Sequence, residues 1–220
     1  KIMTKKEIYK FIAFPAFAAA LMLAGMLTTS LFSGGVTAQN FETISSIESY
    51  TKIILAAEIP LRIILTFDNL FLMFYTAAFI FLAIDTWNKD NIWVVVVGLG
   101  ALIITAYLDL HENHDLMVQL TTAINGMPIS FADIQERMLW SQLKFHSSYL
   151  GFFLFAFVMH GDTVLEKFLK YSLWFCFLPV GVLVYTFPNH IFDLMRYFFM
   201  LGGLTLLGWT YFVRYRKEIA

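Results

Sequence analysis

The stretch "IWVVVVGLGALIITAYLDLHENHDL", Ile92–Leu116, decides how the rest of the chain is read. From Ile92 to Leu108 it carries no charge. It then crowds Asp109, Glu112, Asn113, Asp115, His111 and His114 into its end. A bilayer core of ~30 Å needs about 20 mainly apolar residues in helical form, so the run predicts a membrane span with a charged end. Asp109, Glu112 and Asn113 stand at i, i+3 and i+4 and share one helical face. A charge at the bilayer centre costs ~2.5–3.5 kcal/mol on insertion scales, and charges in spans normally face the bundle and pair.

The same template, moved along the 220 residues, finds five more windows. Together the six are Tyr9–Phe32, Pro60–Ile84, Ile92–Asn113, Trp140–His160, Phe168–Phe187 and Ile191–Phe212. The chain is 59% apolar and 14% charged, where a soluble domain is about 25% charged. The expectation is an all-α, multi-pass membrane protein: one transmembrane bundle over residues 1–220, with six spans. The first window is too long for the apolar run of a cleaved signal and reads as a true span. "TKKE" at Thr4–Glu7 and "TVLE" at Thr163–Glu166 are capping boxes that would start helices. Phe41–Ala57 and Asp115–Arg137 mix apolar and polar residues and predict two helices lying at the outer interface. "NGMP", Asn125–Pro128, marks a turn inside the second of these, with Ser130 capping a short helix before Arg137.

Orientation is set by Lys and Arg in the short flanks. Lys1, Lys5, Lys6, Lys10, Lys89, Lys167, Lys170, Arg214, Arg216 and Lys217 fall on one side of this arrangement. An even number of spans then puts both termini in the cytoplasm, and the expected location is a bacterial inner membrane. A formal net charge of −1 leaves no basic surface for nucleic acid. The single cysteine, Cys176, excludes an internal disulfide or a multi-cysteine metal site.

Depth can be counted at 1.5 Å per residue from the inner end of each window. Asp68, Asp109, Lys144 and Arg196 come from four different spans, and each lands about 24–26 Å above the inner boundary. Two acids and two bases at one level predict a neutral, inward-facing cluster just below the outer surface, with Glu112 and Asn113 as part of its wall. Ser141, Lys144 and Ser148 share a face of the fourth window.

Four functions suit such a pocket. The first is a non-catalytic subunit or binding protein, with membrane lipid or other membrane protein subunits as partners. The second is a metal-dependent hydrolase of outer-leaflet lipid, in which His111, His114 and His146 supply the nitrogens that catalytic zinc requires, although "HENH" lacks the HExxH spacing. The third is a b-type haem held by His111 or His114 together with His146 or His190. The fourth is a proton or solute relay, against which the inner halves of the spans offer few polar steps. The Ser, Asp and His content is similar to that of seven-span lipid hydrolases of the alkaline ceramidase type, which place such residues in a zinc site. Their paired-His element on a late span has no match here. "DLHEN", Asp109–Asn113, resembles a D-x-x-E-N element of small prokaryotic multi-span proteins and implies no activity.

Overall fold

The computed structural model describes residues 3–43, 45–187 and 189–219, with His190 through its backbone alone. Among the described residues every regular element is helical. The elements are α1 (Lys5–Phe32), a 3₁₀ turn (Ala38–Phe41), α2 (Ile47–Ala56), α3 (Glu58–Thr86), α4 (Ile92–Ile124), α5 (Phe131–Val158), α6 (Val164–Ser172), a π-helical turn (Leu173–Phe177), α7 (Leu178–Thr186) and α8 (His190–Lys217).

Local chemistry starts these helices where the sequence places the signals. Thr4 and Glu7 form a reciprocal capping box at the head of α1, and Thr163 and Glu166 do the same for α6. Ser130 accepts from the Asp133 N–H at the head of α5. Between α4 and α5 the chain reverses at Gly126, whose φ of 71° lies in the left-handed region that glycine enters without a Cβ penalty.

Five segments are long and apolar enough to cross a membrane: Lys5–Phe32, Glu58–Thr86, Ile92–Ile124, Val164–Thr186 and Ile191–Lys217. The chain is therefore a multi-pass membrane protein. The remaining predicted span, Trp140–His160, falls on α5, whose Lys144, His146, Ser147 and Ser148 dilute its apolar character. Neighbouring helices run antiparallel. Glu112 meets Arg137, Asp109 meets Lys144, and Gly98 approaches Leu154, so numbers fall along α4 as they rise along α5.

One expectation changes. No separate helix occupies Asp115–Arg137. Instead α4 continues unbroken to Ile124, 33 residues or about 50 Å long, and Arg137 lies in the second turn of α5. The cause is legible in the spacing: Leu116, Leu120 and Ala123 extend the inward face of α4 and are buried against Ile54 of α2 and Leu61 of α3. Within Phe41–Ala57 the expected helix is α2, Ile47–Ala56, which packs onto that extension of α4.

The α6–α7 segment is one rod with a defect. Pro179 has no N–H and would clash with the carbonyl four residues back in a regular helix. The π turn just before it relieves this, with the Leu178 N–H donating to the Leu173 carbonyl five residues back. Small residues let the helices close. A Cβ on Gly151 would lie 2.6 Å from the Leu102 side chain and 3.1 Å from the Gly98 carbonyl, whereas one on Gly100 would meet nothing within 4 Å. We therefore expect Gly151→Ala to destabilise the fold by about 1–3 kcal/mol through overpacking and Gly100→Ala to leave it unchanged. Thermal unfolding of the purified variants in detergent tests this; equal midpoints would refute the close α4–α5 approach.

Candidate functional site

At the upper end of the bundle, where the α4–α5 turn lies, the inward face of α4 presents Asp109, Glu112 and Asn113, all buried. The facing side of α5 carries Arg137, Ser141, Lys144 and Ser148 at successive helical turns, also buried. Glu112 joins the two. Its Oε1 accepts from Arg137 Nη2 at 3.0 Å, and its Oε2 lies 2.7 Å from Lys144 Nζ. Lys144 also donates to Asp109 Oδ1 at 3.0 Å and sits 3.8 Å from Glu42 Oε1. Three carboxylates thus surround one ammonium group.

Arg137 is 1% exposed and fastens the connection between α1 and α2 to the bundle. Its Nε donates to the Phe41 carbonyl at 3.0 Å, its Nη1 to the Glu112 carbonyl at 3.1 Å and its Nη2 to the Ala38 carbonyl at 3.4 Å. That anchoring delivers Glu42, the next residue after Phe41, to Lys144. Above this level Tyr50 donates to Gln119. Burial pushes the Tyr50 phenol up to about 12, so it stays a donor across the neutral range.

The predicted layer is met in three different ways. Asp109 and Lys144 touch. Asp68, on α3, accepts from Asn113 Nδ2 at 3.0 Å instead of meeting a cation. Arg196, on α8, bonds Asp193 of its own helix at 3.2 Å and places its guanidinium 3.8 Å from the centre of the Phe145 ring. It pairs with neither Asp68 nor Asp109 and instead also donates to the Tyr185 hydroxyl at 3.5 Å. Lys144 lies 4.6 Å from the same ring.

The three histidines are dispersed. His111 pairs with Asp115 at 3.1 Å and packs beside Trp140. His114 and His146 are exposed, and each bonds a carbonyl of its own helix, Leu110 at 2.8 Å and Gln142 at 2.7 Å. Among the described residues no three His, Cys, Asp or Glu side chains are grouped to hold a metal ion. The His190 side chain, an alternative haem ligand, lies outside the described residues.

A second polar cluster at the lower end was not read from the sequence. Arg214 of α8 bonds Glu166 at 2.7 Å and Asp162 at 3.0 Å. Asp85 of α3 accepts from the Tyr211 hydroxyl at 2.8 Å and lies 3.1 Å from His160 Nε2. Between the two clusters runs a cavity of about 90 Å³, with Asp109, Lys144, Thr105 and Ser148 at its upper end and aromatic and aliphatic side chains below.

Arg137 was also missed, although its seven-residue spacing from Lys144 is a helical signal. Glu42 carries no such signal, since only the folded connection brings it in. No protein-family model, curated protein sequence or solved structure matches this chain.

The network predicts coupling. Lys144→Met leaves Asp109 without its cation and should cost about 3–5 kcal/mol, while Glu112 keeps Arg137. Adding Asp109→Asn should return part of that loss. A double variant as unstable as the two single losses added together, measured by denaturant unfolding, would show that the pair is not coupled.

Proposed function

We propose that the chain is a six-span membrane binding protein with both termini in the cytoplasm, whose charged upper end lies near the outer face of a bacterial inner membrane. Its role is non-catalytic: that of a lipid-binding protein or a subunit that receives a partner's polar groups. The observation that carries this reading is the mutual pairing of the cluster's charges. Glu112 spends both oxygens on Arg137 and Lys144, and Lys144 is enclosed by Glu42, Asp109 and Glu112. Catalytic zinc keeps an open position among its ligands, and general-base chemistry needs a carboxylate or imidazole within reach of substrate. These groups are turned toward each other instead, as a frame would be.

Packing supports the sixth crossing. The part of α5 from Lys144 to Leu154 lies alongside the part of α4 from Asp109 to Gly98, which falls within a candidate span. The polar residues of α5 that lowered its apolar content, Ser141, Lys144 and Ser148, are buried. A helix whose charge is spent on its neighbour presents a largely apolar exterior to lipid, as Leu143, Leu150, Phe153 and Phe157 do.

Reporter fusions after Asn125, after Asp162 and at the C-terminus should place the first outside and the other two inside. A C-terminal reporter outside would reduce the spans to an odd number and sink the topology. Metal analysis of the purified protein should find no stoichiometric zinc, and incubation with phosphatidylglycerol should release no fatty acid. Zinc together with acyl release would replace this reading with the hydrolase.

A further inference from the structure

Below the ion network, with Lys144 and Asp109 at its upper end, lies the cavity. Its walls come from α3 (Phe71 to Leu82), α4 (Leu102 and Thr105), α5 (Phe145 to Phe152) with Met159 just past its end, and α8 (Phe199 to Leu207), with the α6–α7 rod closing the remaining side. From Lys144 of α5 to Met159 at its C-cap it reaches fifteen residues along the chain, or about 22 Å. It is therefore long and narrow. Nearly all of its wall is hydrocarbon, and apolar cavities of this kind stay dry and take apolar guests.

The wall leaves room for an occupant. Leu173 and Phe177, which bound the π turn beside Pro179, line it. Gly203 also lines the cavity, and a Cβ there would meet nothing within 4 Å, so the chain leaves bulk out where packing would accept it. At the upper end the wall turns polar, and Lys144 and Arg196 both approach Phe145 there.

We infer that this cavity binds one linear hydrocarbon chain of an amphiphile, with the polar head at its upper end, where Thr105, Ser148, Asp109 and Lys144 line it. The inference rests on the non-catalytic binding role proposed above and names the class of ligand. The chain has two possible sources, a free fatty acid or one acyl chain of a bilayer phospholipid.

The test is photolabelling of the full chain in nanodiscs with two probes, palmitate bearing a diazirine in its chain and phosphatidylglycerol bearing one in an acyl chain. Adducts on Phe152, Phe177 or Leu204 are expected from at least one probe, and the probe that labels identifies the source. Gly203→Phe and Leu173→Trp, which fill the cavity from opposite walls, should each lower that labelling at least tenfold. Gly202→Phe, one residue away and outside the cavity, should not. Labelling confined to exposed residues such as Phe153 and Phe157, or undiminished in both filled variants, overturns the inference. That failure is separate from failure of the binding role, which zinc content and acyl release decide.

Discussion

Glu112 is the point through which the upper half of this protein is held together. Its two carboxylate oxygens take two different cations of α5, Arg137 and Lys144, which lie on one face of that helix. That arrangement sets the register of α4 against α5 more sharply than apolar packing does, because an ion pair displaced by one turn would leave a buried charge alone. Breaking such a pair from one side is strongly destabilising, even though the intact pair adds little net stability. The same Arg137 that neutralises Glu112 gathers the carbonyls of Ala38 and Phe41, so the network fastens the connection from α1 to α2, whose Ala38 and Phe41 side chains also pack into the upper apolar core.

The lower end repeats the logic with other residues. Arg214 binds Glu166, which also caps α6, and Asp85 binds Tyr211 and lies beside His160. Polar clusters thus clamp both ends, while the middle is left to aromatic packing and small residues. Helix α8 lies on α1, and α5 lies on α4. Phe145, Phe152 and Phe177 fill part of the space between these pairs, and the cavity is the part that remains.

Much of the architecture was legible in the chain because bilayer thickness demands a run of fixed length and capping demands particular residues at fixed offsets. The apolar run from Ile92, the Thr4 and Thr163 boxes and the glycine turn before α5 all depend on neighbours in sequence. The shared face of Asp109, Glu112 and Asn113 comes from the 3.6-residue period. Depth counting put Asp109 and Lys144 at one level, and they touch. It put Arg196 at that level too, but depth says nothing of azimuth, and Arg196 turns to Asp193 of its own helix.

What the sequence by itself determined, then, was which segments are helices fit for a membrane and which of their faces turn inward, since both depend on residues a few positions apart. The tertiary structure alone decided which inward charges meet, how Glu42 reaches Lys144 from a distant part of the chain, and where a gap is left between helix pairs. Those outcomes depend on rotation and separation of whole helices, set by many weak contacts at once, and no local pattern of residues encodes them.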